Sequence, residues 1–178
     1  MCMMCNGASR DEVRFHLHGT ISRHGWAIFG VGDHETTGWL YTIGLVAGFN
    51  HPELVVVGQE PALAAAVLNH LGERVRRGER FDVADRTAVG DESEVGLRHV
   101  HPVQIELGLL NAWVDYYGAL GPPYPEPQAL QVVLSDGRYC HQHQQAQPLL
   151  DGPTDVLPIR PPNRAARRAL QRRRLHRI

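Results

Sequence analysis

Five residues in two distant parts of the chain have the types and spacing of a metal site. Cys2 and Cys5 are separated by two residues, a gap that lets both thiolates point at one ion. Cys140 with His141 or His143 could complete a tetrahedral zinc site if the N-terminal arm folds back beside the last strand. In the alternative interpretation, the first two cysteines lie in a frayed terminus and the third fills a small apolar gap.

A candidate pocket is predicted where two strands end, around Thr42, Gly44, His51 and Glu53. A glycine inside a strand indicates a bulge or a close approach of another backbone. The imidazole and the carboxylate could supply a base and an acid to a bound substrate. The alternative is that residues 51–53 form an exposed loop, in which Pro52 fixes the backbone conformation where the loop begins.

The charge of the chain is divided between two regions. Residues 160–178 hold eight of the 18 basic residues and no acidic residue, which leaves 10 basic and 19 acidic residues in 1–159. Arginine matches the geometry of phosphate, so this segment favours nucleic acid or another anionic partner, bound in a salt-dependent way. Alternatively, it is a solvated extension that pairs weakly with the acidic body. The predicted anion-binding residues are Arg164, Arg167, Arg168, Arg172, Arg173, Arg174 and Arg177.

The common nucleotide-binding, metalloprotease and hydrolase signatures are absent from the sequence, which narrows the range of functions. The sequence has no phosphate-binding loop ending in Lys-Ser or Lys-Thr, because it contains no lysine, and no G-x-G-x-x-G, H-E-x-x-H or G-x-S-x-G motif. It also has no apolar stretch of about 20 residues and no secretion signal. With only three cysteines, we expect a protein of the cytoplasm, without a membrane span.

Local signals predict three helices. Ser9 and Glu12 have the spacing of a capping box, and an apolar stripe follows as far as Gly25. Pro61 fits the first turn of a second helix, which Gly78 closes. A stripe from Ile105 to Tyr116 predicts the third helix.

Short apolar runs between turn residues predict about six strands, at 26–31, 40–46, 54–57, 81–88, 95–103 and 130–134. Strands and helices do not alternate regularly along the chain, so a doubly wound parallel sheet is not expected. With 43% apolar and 21% charged residues, the composition is that of a globular protein. The prediction is a single α+β domain in residues 1–158, with a mixed or antiparallel sheet and three packed helices. An arginine-rich tail follows at 159–178.

Six motifs occur in the order found in a bacterial family known as domain of unknown function 4262. They are the first five residues, His24-Gly25-Trp26, residues 41–45, residues 51–54, Asp115-Tyr116-Tyr117-Gly118, and residues 129–133 leading to 147–150. The chain therefore resembles this family over residues 1–150, and the resemblance implies no activity. It departs from the family pattern at 137–143, where relatives carry an aromatic Pro-Trp element. Residues 41–45 and 52–54 also resemble suppressor-of-fused-type interaction domains at the level of fold alone, which favours a protein partner.

Two functions remain open at this point. The sequence favours a non-enzymatic binding or regulatory module whose arginine-rich tail contacts an anionic partner. The alternative is a small metal-dependent or thiol-dependent enzyme that uses Cys2, Cys5, Cys140 and the nearby histidines. The oligomeric state, the substrate and the identity of the partner do not follow from the sequence.

Overall fold

The structure, a computed structural model, describes residues 7–32, 38–90, 93–134 and 147–152. It is a single α+β domain with one mixed six-stranded sheet, as predicted. The strands are β1 Ala27–Val31, β2 Trp39–Ile43, β3 Glu53–Val57, β4 Arg86–Val89, β5 Ser93–His99 and β6 Ala129–Leu134. The helices are α1 Arg10–His24, α2 Leu45–Phe49, α3 Pro61–Arg76, α4 Pro102–Glu106 and α5 Asn111–Leu120. In these residues, no helix combines the length and the apolar character needed to cross a bilayer.

The sheet has the strand order β1-β2-β3-β6-β5-β4. Neighbouring strands are antiparallel except β3 and β6, which run parallel in the middle of the sheet, with Leu54 opposite Leu130. A parallel pair needs a crossover, and the chain between these two strands supplies one with three helices and two strands. The last strand along the described chain therefore occupies an inner position of the sheet.

Apolar residues cover both faces of the sheet, because side chains alternate along each strand. One face buries Tyr41 and Val55 against α1 and α5. The other buries Leu54 and Val56 against α3. The domain therefore has three layers, with the sheet between two layers of helices.

The ends of α1 follow the sequence signals. The hydroxyl of Ser9 accepts from the Glu12 amide, and the Glu12 carboxylate accepts from the Ser9 amide at 2.7 Å, which completes the capping box. At the other end, Gly25 adopts the left-handed conformation with φ 91° and donates to the carbonyl of Ile21. The prediction of this helix is confirmed.

The second predicted helix is also confirmed, as α3. Pro61 lies in its first turn and the Glu60 side chain accepts from the amide of Leu63. Gly72 lets the helix approach Trp26, because a Cβ at this position would lie 2.7 Å from the indole ring. The helix therefore packs closely on the first strand pair.

Other predicted boundaries are wrong where a backbone turn interrupts an apolar run. The strand predicted at 40–46 ends at Ile43, because Gly44 has φ 128° and is the N-cap of α2. The helix predicted from Ile105 is divided into α4 and α5 by Gly108, which has φ 108°. The strand predicted at 95–103 ends at His99, and Pro102 begins α4. Of the strand predicted at 81–88, only the end forms β4, because Ala84 has φ 72°.

The last described segment, residues 147–152, packs against β6. The Gln131 side chain donates to the carbonyl of Pro148 at 2.6 Å and accepts from the amide of Leu150 at 2.7 Å. Leu150 is fully buried, and Asp151 forms an ion pair with Arg98 at 3.0 Å. The core therefore extends at least to this segment.

Candidate functional site

The carboxylate of Glu53, at the start of β3, is fully buried and accepts five hydrogen bonds. Its donors are the Thr42 hydroxyl at 2.7 Å, the amides of Gly44 at 2.9 Å, Leu45 at 3.2 Å and Val46 at 3.3 Å, and Nε1 of Trp113 at 3.0 Å. All five donors are uncharged. A buried carboxylate without a charged partner depends on such donors, which replace the hydration it has lost.

The turn at Gly44 brings three backbone amides to the carboxylate. Its φ of 128° favours glycine, and a Cβ at this position would lie 2.6 Å from the carbonyl oxygen of Gly25. The amides of residues 44–46 form the first turn of α2, where they have no partner within the helix. Glu53 thus caps a helix that lies before it in the chain.

Thr42 connects the two strands of the cluster. Its hydroxyl oxygen accepts from the amide of Leu54 at 2.9 Å while the hydroxyl hydrogen is donated to Glu53. Both of these hydrogen bonds are buried. The side chain therefore fixes where the carboxylate sits relative to β2 and β3.

Two aromatic residues attach α5 to the same cluster. Trp113 reaches Glu53 from the first turns of α5, and its ring is 4.5 Å from the Tyr117 ring, centroid to centroid. The hydroxyl of Tyr41, on β2, accepts from the amide of Ala112 at 3.0 Å. This long-range bond satisfies one of the free amides at the start of α5, where the N-cap residue makes no side-chain bond.

Burial dominates the electrostatics of this cluster. It raises the pKa of Glu53 to about 6, against the opposing effect of the donors from Thr42, Gly44, Val46 and Trp113. Burial also raises the pKa of Tyr41, so its phenol remains neutral. The carboxylate is therefore ionised near neutral pH and becomes protonated in mildly acidic solution.

His51 makes a separate set of bonds that defines its protonation. Its Nε2 accepts from the amide of Phe81 at 3.1 Å, so Nδ1 carries the hydrogen and donates to the carbonyl of Pro52 at 2.7 Å. Burial lowers the pKa of this imidazole, which favours the neutral form. The side chain is 1% exposed and holds the segment after α3 against the sheet.

Of the four residues of the candidate pocket, the structure joins Thr42, Gly44 and Glu53 through hydrogen bonds and gives His51 other partners. All four are buried, and both nitrogens of the imidazole and both oxygens of the carboxylate are engaged. Sequence reasoning did not find Trp113 or Tyr41 as members of this cluster. Trp113 lies within the apolar stripe from Ile105 to Tyr116, and nothing local in the sequence indicates that its nitrogen reaches a carboxylate.

The other predicted site residues lie outside the described residues. These are Cys2, Cys5, Cys140, His141 and His143 of the metal site, and all the arginines of the anion-binding segment. Within the described ranges, no group of three or more His, Cys, Asp or Glu side chains could hold a metal ion. The metal site and the anion-binding segment remain predictions.

Among the described residues, concave surfaces also lie away from the Glu53 cluster, and two of them are well defined. One, of about 430 Å³, lies between α1, β1 and α3, where the Trp26 nitrogen donates to Asn69 at 3.2 Å. Glu73, an acidic side chain of its lining, is paired with Arg76 and Arg77. The other, of about 310 Å³, lies between α1 and α5.

The fold is that of an α+β domain with a buried carboxylate cluster, and comparison with known proteins places it in a family. The family model described as Domain of unknown function (DUF4262) matches residues 20–144 of the 178-residue chain, so the chain belongs to this family. The match contains the whole Glu53 cluster, and it ends before the arginine-rich segment. Neither the comparison with curated proteins nor that with solved structures gives a match.

Proposed function

We propose that the protein is a non-enzymatic binding or regulatory module, and that its arginine-rich segment, residues 160–178, contacts an anionic partner. The observation that carries the proposal is the separation of charge along the chain. Eight arginines and no acidic residue occur in this segment, whereas residues 1–159 hold 19 acidic and 10 basic residues. A basic segment attached to an acidic body is typical of an arm that binds anions.

The arrangement of the buried cluster argues against catalysis at that place. A general base must lie within hydrogen-bond reach of the proton that it removes. The nitrogens of His51 and the oxygens of Glu53 are occupied by bonds within the domain, and both side chains are at most 1% exposed. A substrate would have to displace several of these bonds to reach them.

Phosphate is the anion that the segment matches best, because guanidinium groups can donate two parallel hydrogen bonds to its oxygens. The segment has no Phe, Tyr or Trp on which a base could stack, so binding should depend mainly on the backbone of a nucleic acid and not on its sequence. Binding of this kind weakens steeply as salt is added, because each contact releases a counterion.

The test is titration of the full chain into fluorescently labelled single-stranded RNA and duplex DNA of arbitrary sequence. Between about 50 and 200 mM salt, the affinity should fall on the order of 1000-fold if most of the arginines contact phosphates. A chain with the seven arginines at 164–177 changed to lysine should keep most of this salt dependence, and a chain with the same seven changed to glutamine should lose the binding. Binding that survives deletion of residues 160–178 contradicts the proposal. Vesicles of anionic lipid, run in parallel, distinguish a membrane surface from nucleic acid.

The competing function, a small metal-dependent or thiol-dependent enzyme, is favoured by one observation, the two-residue gap between Cys2 and Cys5. Elemental analysis of untagged protein, beside a Cys5→Ser variant, tests it. About one zinc or iron per chain that is lost in the variant would support this function. Absence of metal from both proteins, together with thiols of ordinary reactivity, would count against it.

A further inference from the structure

The two edges of the sheet are built differently. β4, at one edge, carries Arg86, which is paired with Glu94 at 3.1 Å, and the carbonyl of Ala88 accepts from Nη1 of Arg74 at 2.8 Å. Charged side chains on an edge strand hinder the pairing of a further strand. β1, at the other edge, has the sequence Ala-Ile-Phe-Gly-Val, with no charged residue and no proline. The strand at this edge therefore lacks the features that protect β4.

The backbone of β1 has hydrogen-bonding groups at this edge. Among the described residues only β2 pairs with it, with Ala27 opposite Ile43 and Val31 opposite Trp39. In an antiparallel pair, alternate residues direct their amide and carbonyl groups away from the partner strand. Within the described ranges, no side chain bonds to the backbone of β1. About half of the backbone groups of this five-residue strand are therefore open to an added strand.

A groove lies along the same edge, near the start of β1. It is the concave surface of about 430 Å³ between α1, β1 and α3. Its lining includes Ala27, which packs in the core on the α1 side of the sheet, and Ile28, which packs against the core on the α3 side. A surface that reaches residues on opposite faces of a sheet passes round its edge. The two helices therefore lie on either side of the space that an added strand would occupy.

The charged groups at this groove are mostly basic, although the chain outside the arginine-rich segment is acidic. Glu73 is paired with both Arg76 and Arg77, at 2.7 and 3.1 Å, so one carboxylate faces two guanidinium groups. Arg23 adds a further guanidinium group in the last turn of α1, next to His24 of the lining. The start of the groove therefore carries a net positive charge, which favours a negatively charged partner.

The hydrogen-bonding groups of the groove favour the same kind of partner. The side-chain oxygen of Asn69 accepts from Trp26, and Nη2 of Arg76 donates to Glu73. Among the described residues, the amide nitrogen of Asn69 and both Nε and Nη1 of Arg76 have no bonding partner. These groups are donors, and a carboxylate supplies acceptors for them.

We infer that the free edge of β1 binds an extended, acidic segment of another protein, which adds to the sheet as a further strand. In strand addition, main-chain hydrogen bonds provide affinity and the alternate side chains provide specificity. The backbone of the segment pairs with β1, and an Asp or Glu side chain opposite the start of the strand reaches the donors of Asn69 and Arg76. The inference does not rest on the proposed function, since none of these residues belongs to the arginine-rich segment.

Peptide selection on the full-length chain tests the inference. The bait is the variant with the seven arginines at 164–177 changed to glutamine, so that the arginine-rich segment cannot select acidic peptides. A random library of peptides of about 12 residues should yield sequences rich in Asp or Glu and in β-branched residues. With a selected peptide bound, hydrogen exchange followed by NMR should slow at those amides of residues 27–31 that exchange rapidly in the free chain.

A charge reversal in the groove should weaken the binding of a selected peptide. Arg76→Glu should lower its affinity on the order of tenfold, because a like charge then faces the acidic side chain. Arg86→Glu is the matched control, since it makes the same change at an exposed residue of the opposite edge strand and should leave the affinity within about twofold. Circular dichroism would verify that both variants keep their fold.

Three results would overturn the inference. The first is a selection that yields no peptide, or only peptides without acidic residues. The second is a selected peptide that leaves exchange at residues 27–31 unchanged, or whose binding the two charge reversals reduce equally, which would place the contact elsewhere. The third is a free chain in which all five amides of β1 already exchange slowly, which would show that another part of this chain covers the edge. Because the bait lacks the seven arginines, peptide binding to it is independent of whether the wild-type chain binds RNA.

Discussion

Glu53 and the arginine-rich segment are two opposite ways of using charge in one chain. The carboxylate is buried among five uncharged donors of the same domain, which satisfy both of its oxygens. The eight arginines are concentrated in 19 residues without an acidic neighbour in that segment. A charge whose partners are built into the fold acts within the domain, whereas a run of like charges has its favourable partners elsewhere. Substitutions in the two regions should therefore have different effects: those in the arginine-rich segment on binding, and those at Glu53 on the stability of the domain.

The largest expected effect is on binding and not on stability. Changing the seven arginines at 164–177 to glutamine should reduce affinity for single-stranded RNA at about 50 mM salt by 100-fold or more, because the counterion release that drives binding is lost. The urea midpoint of the domain should hardly move, since surface substitutions usually change stability by less than about 0.5 kcal/mol. A clear loss of stability would show that these arginines pair with the acidic body.

The reciprocal change, Glu53→Gln, should affect stability and leave RNA binding unchanged. The new amide group replaces an oxygen that accepts from Thr42 or from a helix amide, so a donor faces a donor and the free energy of unfolding should fall by about 2–3 kcal/mol. Urea denaturation near pH 7.5 measures this loss. Glu106→Gln, on an exposed turn of α4, is the control and should stay within about 0.5 kcal/mol of the wild type. If Glu53→Gln and Glu106→Gln changed the free energy of unfolding equally, the buried carboxylate would have no special role in the stability of the domain.

Trp113→Phe sharpens the comparison by removing one donor and keeping an aromatic ring. The loss of a hydrogen bond to a charged group, together with some packing, should lower the free energy of unfolding by about 2 kcal/mol. The effects of Trp113→Phe and Glu53→Gln should not add, because the two side chains share one bond. Full additivity in the double variant would mean that this bond contributes nothing to stability.

The smallest effect is a dependence on pH. Because the pKa of Glu53 is about 6 in the folded domain and 4.5 in its unperturbed state, ionisation of this group opposes folding above pH 6. As the pH falls through 6 toward 4.5, its contribution becomes more favourable. The difference in unfolding free energy between wild type and Glu53→Gln should therefore grow by about 1 kcal/mol from pH 7.5 to pH 5. A difference that shrinks over this range would mean that the five donors hold the pKa below its ordinary value.

The parts of the fold that were predictable from sequence are those fixed by local signals. The capping box of α1 and the proline at the start of α3 act within a few residues, so a pattern in the sequence is sufficient to place these helices. The five-residue helix α2 has no such signal. Its first amides are satisfied by a carboxylate seven to nine residues later, which is a tertiary contact.

Dependence on tertiary contacts also limits how much of the site could be predicted from the sequence. Thr42, Gly44 and Glu53 are near each other in sequence, so the sequence predicts them as one group. Trp113, in contrast, lies 60 residues from Glu53, and Tyr41 lies 71 from Ala112. Their nitrogen and hydroxyl groups meet the cluster only because α5 packs on the sheet. The residue types predict polar interactions around residues 42–53. Only the fold shows that the hydrogen-bond partners of these groups lie within the domain.

The position of β6 has a consequence for the order in which the domain can form during its synthesis. β6 lies between β3 and β5, so β4 and β5 have no strand that joins them to the first three strands until it is made. A nascent chain that ends before Ala129 can pair β1, β2 and β3 with one another, but its sheet has an open edge at β3, whose five residues are all buried in the finished domain. The edge of β3 therefore stays uncovered until residues Ala129–Leu134 have been synthesised and have emerged from the ribosome.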